Sequence, residues 1–229
     1  MDVTEAIERR KSIRAFKSDP VPRDILEKIL EQALRAPSWA NTQPWEVVVA
    51  AGEYLDKIRE AYVKKAKSGE MMNPDLAAPK GFPEPYNARR QGAGRGLFEV
   101  MGIQREDTER MIAWGLEGMR MFGAPCVIFI CAGRSFYRQE EGLNVWPVFD
   151  CGLIAENIMM LALTYGLGTI PTVQAVVYPD VIREELSLPE EKLLVLGIPI
   201  GYPDWDQPVN QYRSQRAPLN EVTEWYGFN

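Results

Sequence analysis

Histidine is missing altogether from this 229-residue sequence, and that absence removes a large part of enzyme chemistry. Histidine is the side chain whose ordinary pKa lies nearest neutrality, and so the commonest general base. Without it there is no Ser-His-Asp or Cys-His hydrolase of the usual form, and no His-ligated zinc site. Either the chain is not an enzyme or a bound cofactor carries the difficult chemistry. Cysteine is scarce. Cys126, Cys131 and Cys151 form no CxxC pair, and three thiols leave one over if two are bridged, so a reduced, cytoplasmic setting is expected. Basic residues are outnumbered, 26 Lys and Arg against 32 Asp and Glu for a net charge of -6, so no nucleic-acid face is expected. No apolar run approaches the roughly 20 residues that span a bilayer. The opening Met1-Asp2-Val3-Thr4-Glu5 has no basic stretch leading into an apolar one, so neither membrane insertion nor a cleaved leader is expected.

What is present is an ordinary globular composition, 46% hydrophobic and 25% charged, enough to bury a core. Residues 3–11 read as a short helix with Val3, Ala6 and Ile7 on one face. After the breaker Asp19-Pro20-Val21-Pro22, Ile25, Leu26, Ile29, Leu30, Ala33 and Leu34 keep the spacing of a single buried stripe, which Pro37 ends. Trp45–Ala51 reads as a strand and 53–66 as a helix. From Lys67 to Gly96 prolines and glycines interleave and no period survives, which in a compact chain indicates a functional loop or lid, or else disorder. A helix over about 106–122 follows, then a buried strand Cys126–Ala132, continuous in its hydrophobicity. Phe149–Tyr165 is apolar on most sides and so is expected at the centre of the core. Pro179–Leu186 is a short helix opened by proline, Leu193–Ile200 a second apolar strand, and the stretch from Tyr202 an extended arm. Strands and helices do not alternate strictly and no linker divides two cores. The expectation is α+β in one domain spanning 1–229, with 67–105 as a cap or lid and 202–229 as a C-terminal arm.

Two constellations stand out. Arg9-Arg10-Lys11-Ser12-Ile13-Arg14 puts four cations in six positions of an acidic chain. In an extended segment Arg10, Ser12 and Arg14 point to one side, and two guanidiniums flanking a hydroxyl suit a phosphate and a polar ring edge. A solvated helix end complementing the helix dipole accounts for the same residues. Ala36-Pro37-Ser38-Trp39-Ala40-Asn41-Thr42-Gln43-Pro44-Trp45 is a stiff loop rich in donors and acceptors, of the kind that carries ligand-binding groups, or a plain helix-to-strand turn with Trp45 as anchor.

RRKSIRAF, the helix behind it and APSWANTQPWEVVV resemble the signature of the flavin-dependent nitroreductase family. So do, in order, Asp150-Cys151-Gly152, Tyr165-Gly166-Leu167-Gly168-Thr169-Ile170-Pro171, Ile200-Gly201-Tyr202-Pro203 and Tyr212-Arg213-Ser214-Gln215-Arg216-Ala217-Pro218-Leu219. The resemblance covers about residues 3–55 and 120–225. It implies an α+β sandwich with a mostly antiparallel sheet flanked by helices, two interlocked subunits, and FMN at each interface. It implies that Arg10, Lys11, Ser12 and Arg14 lie along FMN, with Arg10 and Ser12 at the phosphate and Arg14 toward the ribityl and pyrimidine end. Arg216, helped by Arg213, would complete the phosphate site. Pro37, Ser38, Trp39 and Asn41 would reach the flavin of the other subunit, while Pro171, Thr172 and Val173 pass its ring. The chain departs from many relatives at Thr172-Val173-Gln174, which leaves the partner of flavin N5 open.

Physical chemistry is consistent with these roles. A phosphomonoester dianion needs several positive donors, and a cation such as Arg14 near N1 favours the reduced flavin. Hydride passes between ring carbon and N5 without an acid–base histidine. Gly92-Ala93-Gly94-Arg95-Gly96 resembles a phosphate loop, but no strand precedes it and the spacing fits neither common fingerprint. Cys126 and Cys131, in an apolar strand, read as small hydrophobes, and no metal site is expected. The implied activity is transfer of electrons from NAD(P)H, by a ping-pong mechanism, to a small planar acceptor such as a nitroaromatic or a quinone. A protein that stores or senses FMN without turnover is the alternative. The sequence leaves open the physiological acceptor and the choice of NADH or NADPH.

Overall fold

In the computed structural model, which describes residues 1–228, the chain is organised by a strand covered on both faces. β2 (Cys126–Gly133) pairs antiparallel with β1 (Trp45–Ala51) on one side and with β6 (Lys192–Gly201) on the other. The short β5 (Gly168–Thr169) adds to β6, giving the order β1-β2-β6-β5. Side chains along a strand alternate between faces, and β2 separates accordingly. Cys126, Ile128, Ile130 and Ala132 enter one core, and Val127, Phe129 and Cys131 the other. A strand buried on both faces has no polar side, hence the unbroken CVIFICA run. Against β6 the register slips between Ile130 and Cys131, whose partners are Leu196 and Leu194. Val195 is the extra residue of this bulge.

Helices cover both faces. On the first, α2 (Arg23–Ala33) brings Leu26, Ile29 and Ala33, and α7 (Trp146–Thr164) brings Cys151, Ile154, Ala155, Ile158, Met159 and Ala162. On the second lie α3 (Gly52–Ser68) with Leu55, Ile58 and Tyr62, the end of α5 (Thr108–Met119), and α8 (Pro179–Leu186) with Val181 and Ile182. This is the expected α+β sandwich. The three cysteines are free and buried, and burial pushes each thiol up to about 12.

Several expectations need correction. The stretch without a period holds a helix, α4 (Tyr86–Val100), with no buried residue and with Gly92, Gly94 and Gly96 in its middle. Lacking a buried stripe, it left no pattern to read, and only about 70–85 is irregular. α7 begins at Trp146 and is not enclosed. Its inward side is core, whereas Trp146 and Phe149 are exposed. It is also 19 residues long and apolar enough to cross a membrane by length and composition alone, although its buried residues pack on the sheet. In α1 (Val3–Arg9) only Ala6 is buried, while Val3 and Ile7 are exposed. A helical turn α6 (Arg134–Tyr137) and the hairpin β3 (Arg138–Gln139) and β4 (Gly142–Leu143) had no signal in the sequence. Downstream of Tyr202 the arm is mostly extended, with a turn at Pro208–Gln211 and a last helical turn α9 (Leu219–Val222); Asn229 lies outside the described residues.

The irregular stretch is pinned where it begins. Asp75 accepts hydrogen bonds from Arg134 Nη2 (2.8 Å), Arg183 Nη2 (2.5 Å) and the Leu194 N–H (2.8 Å). Burial alone would raise its pKa. The hydrogen bonds from Arg134, Leu194 and Arg183, with the Arg183 charge, outweigh that and hold the carboxyl below the ordinary value. The resulting stability is fully present above the ordinary Asp pKa of about 3.9 and is lost as pH falls through the lower folded value. Asp75→Asn is expected to cost about 3 kcal/mol at neutral pH, where a partly buried charge network is broken. Urea unfolding from pH 7 to pH 2 should show the gap between variant and wild type closing below about pH 4. A gap independent of pH would show that the Asp75 charge is not what holds the segment.

Candidate functional site

Residues 10–17 leave α1 in extended form and run along the edge of β5. The Ile13 N–H donates to Thr169 O (3.0 Å) and the Lys17 N–H to Tyr202 O (2.8 Å), with a parallel bridge from Ser12 to Thr169. The approach is close enough to require Gly168. A Cβ there would lie 2.5 Å from Ile13 Cγ1 and 2.7 Å from Pro203 Cγ. With Ile13 buried, the neighbouring side chains face outward into a cleft.

The C-terminal arm forms the other wall. Arg10, Lys11, Ser12 and Arg14 face Tyr212, Arg213, Ser214 and Arg216 across a cavity of about 510 Å³, which Ile7, Glu8 and Glu156 complete. Five cations thus stand against two carboxylates. Arg10 Nε is 3.8 Å from Glu156 Oε1. Arg213 donates to Glu8 O. Among the described residues Arg216 donates only to near neighbours, Ser214 O (3.1 Å), Ser214 Oγ (2.7 Å) and Gln215 O (3.2 Å). Burial pulls the Arg14 guanidinium below its ordinary pKa, and the Tyr212 phenol opposes this. Lys11 is lowered by burial and then by the Arg213 charge; its Nζ lies 5.0 Å over the Trp205 ring. A cleft that holds desolvated cations side by side favours an anionic ligand.

Asn210 joins the two walls, and nothing in the sequence marked it. Fully buried, its Oδ1 accepts from the Arg14 N–H (2.8 Å), and its Nδ2 donates to Ala15 O and Asp204 O (both 2.8 Å). Its carbonyl accepts from Lys11 Nζ. A lone asparagine in a polar segment has no periodicity to find. Tyr212 was legible as part of YRSQRAPL but not as a wall of the cleft.

The other expected site residues lie outside this cavity. The loop 38–43 is held in an uncommon backbone form, with Ala40, Asn41 and Gln43 at φ of 49°, 58° and 45°. Left-handed non-glycine residues in such number are kept only where the surroundings fix them. Here the Trp39 N–H donates to the buried Asp150 Oδ2 (3.1 Å), and the Gln43 N–H to Ser38 Oγ (2.9 Å). The exposed Trp39 ring stacks on Trp146 at 6.4 Å, and Phe149 meets Trp146 edge-on. Neither Pro37, Ser38, Trp39 nor Asn41 lines the cleft of its own chain. Nor do Pro171, Thr172 and Val173, which come after Thr169 and the buried Ile170. Thr172 exchanges backbone hydrogen bonds with Gly197 (2.9 and 3.2 Å), and Val173 is exposed. Gly92–Gly96 sits inside α4 and forms no phosphate loop.

A second, open depression of about 840 Å³ lies between α3 and Arg120. It mixes signs, and Arg59 is committed to Arg120 O, Ala124 O and Asp56. Among the described residues no three Cys, Asp or Glu side chains converge as metal ligands.

The sequence matches the Nitroreductase family over residues 7–202. Nitroreductase NfnB of Mycolicibacterium smegmatis is 33% identical over 230 residues, covering 98% of this chain and 94% of that protein. The chloronitrobenzene nitroreductase of Comamonas testosteroni is 31% identical, covering 96% and 95%. The crystal structure of the FMN and NADPH-dependent nitroreductase NfnB from Sphigopyxis sp. strain HMH superimposes with a TM-score of 0.92 at 34% identity, over 100% of both chains.

Proposed function

Because this chain belongs to the nitroreductase family, we propose that it is an oxidoreductase that binds FMN in the cationic cleft. It would pass electron pairs from NAD(P)H to a small planar acceptor, a nitroaromatic or a quinone. The observation that carries this reading is the cleft itself. Residues 10–14 and 212–216 converge on one cavity with a surplus of cations, which fits the phosphomonoester of FMN. The similar NfnB proteins are described as FMN-dependent, one of them in complex with NADPH.

FMN, when bound, supplies the hydride chemistry, which is why a chain without histidine can serve. Arg10, Ser12, Arg213 and Arg216 hold the phosphate. Arg14, whose guanidinium is largely desolvated, favours negative charge at the ring end. Pro171, Thr172 and Val173 continue from the strand edge along the ring. Donor and acceptor occupy one place in turn, a ping-pong order that needs no second binding site. The chain works as a homodimer. Exposed Trp39, Trp146 and Phe149, together with Val3 and Ile7, give the apolar surface that a second copy covers. The preset loop carrying Pro37, Ser38, Trp39 and Asn41 reaches the cleft of that copy. Three thiols that burial keeps protonated suit a cytoplasmic setting. One domain spans the chain, with 67–105 as cap and the segment from residue 202 as arm.

The protein is expected to purify yellow and to bleach with NAD(P)H under anaerobic conditions. Stable colour that NAD(P)H leaves unchanged would instead identify an FMN store. Arg10→Ala and Arg216→Ala should each weaken FMN binding by about 1.5–3 kcal/mol, the range for a charge-assisted hydrogen bond. Full occupancy in both variants would remove the phosphate assignment. Dilution through the dimer dissociation range should release FMN in step with monomer formation, read by sedimentation and flavin fluorescence together; a monomer that keeps FMN rules out the shared site. For the cap, Tyr86 stands exposed at the head of α4, and Phe82 lies under Arg90 at 5.3 Å. Offset stacking adds about 0.5–1.5 kcal/mol, so Tyr86→Ala should alter acceptor kinetics and leave FMN affinity unchanged. Wild-type rates with every acceptor would count against a cap.

A further inference from the structure

α4 is built from poor material for a helix. It buries no residue and carries glycines at 92, 94 and 96, the weakest helix formers after proline. These glycines are not equivalent. A Cβ at Gly92 or Gly94 would meet nothing within 4 Å, whereas at Gly96 it would fall 2.8 Å from Tyr212 Cε2 and 3.5 Å from Tyr212 Oη. The Tyr212 ring is therefore seated against the helix backbone at Gly96. Tyr212 also lines the cationic cleft, to which α4 contributes no residue. Nearer its start α4 holds the arm again, with Arg89 Nη2 3.4 Å from Glu221 Oε2.

Arg213 and Arg216 lie between these two attachments, in a stretch without regular structure, and among the described residues Arg216 has only its near neighbours to hold it. We infer that Gly96 is a positioning residue. By leaving room for the Tyr212 ring it fixes the arm, and the arm sets Arg213 and Arg216 at the cleft. The inference rests on the reading of that cleft as a phosphate site. Its consequence is reciprocal. If the seat of α4 changes affinity for a phosphate-bearing ligand, that ligand changes the ordering of α4 by the same factor. Cap and phosphate site are then one coupled unit, although α4 never reaches the phosphate.

The glycines supply their own control. FMN dissociation constants, read by flavin fluorescence, are compared for wild type, Gly92→Ala, Gly96→Ala, Tyr212→Leu and the double variant Gly96→Ala with Tyr212→Leu. Both alanines raise helix propensity, but only one collides with the ring. Gly92→Ala should keep the wild-type constant, and Gly96→Ala should weaken it by about tenfold, within the range for coupling through packed side chains. In the Tyr212→Leu background Gly96→Ala should have no further effect, since the collision is gone. Equal constants for Gly96→Ala and Gly92→Ala overturn the inference, as do additive effects of Gly96→Ala and Tyr212→Leu. Wild type that binds no FMN refutes the cleft reading, and the inference falls with it.

Amide exchange on the wild-type protein tests the same coupling without any substitution, and decides the matter if Gly96→Ala does not fold. FMN should slow exchange in residues 86–100 more than riboflavin, which lacks the phosphate. Equal protection by the two ligands, or none, sinks the idea.

Discussion

Five like charges surround one cleft, and the fold must hold them there against their own repulsion. Coulombic cost between cations falls with distance and with solvent; Arg213 and Arg216 already stand exposed on the arm, and nothing in their charge keeps that arm at the cleft. What holds it there is neutral. Asn210, buried and without charge, ties the backbone of residues 14 and 15 to the arm 196 and 195 positions away, through hydrogen bonds of 2.8 Å. The carboxylates nearby are too few to neutralise the cluster. The surplus of positive charge accordingly favours an anion in the cleft.

The sandwich beneath supplies rigidity in proportion to burial. β2 is enclosed on both faces, and the bulge at Val195 lets β6 keep apolar side chains in both cores while its end at Gly201 pairs with β5. From there Gly168 admits the 10–17 segment, and Gly197 exchanges hydrogen bonds with Thr172. The 10–17 segment is thus tied through β5 and β6 to the doubly buried β2.

How much could be read in advance follows the same gradient. β1, β2, β6 and α8 were legible to within about a residue, because a strand buried on both faces leaves an unbroken apolar run and a helix can be opened by proline. The cation cluster was legible as a local exception to an acidic composition, and its two halves were joined only through family resemblance. α4 was not legible, since a helix that buries nothing leaves no stripe and its glycines read as loop. Asn210 was not legible for another reason: its role depends on a partner nearly two hundred positions away, and a single amide side chain carries no pattern. The start of α7 reads as core in the sequence although Phe149 is exposed, because an apolar residue on an open helix face has the same spacing as one already packed.

The placement of Arg213 and Arg216 also bears on how the molecule comes into being. Synthesis proceeds from the N-terminus, and domains fold as units while it does. Every strand of the sheet, and the helices on both its faces, precede residue 202. The scaffold can therefore close while the arm has yet to emerge, leaving Arg10 and Arg14 with one wall of their cleft. On the proposed reading of the cleft, ligand capture waits until Asn210 is in place and Arg213 and Arg216 have followed it. On the same reading, a nascent chain cut short before residue 210 would lack one wall of the phosphate site.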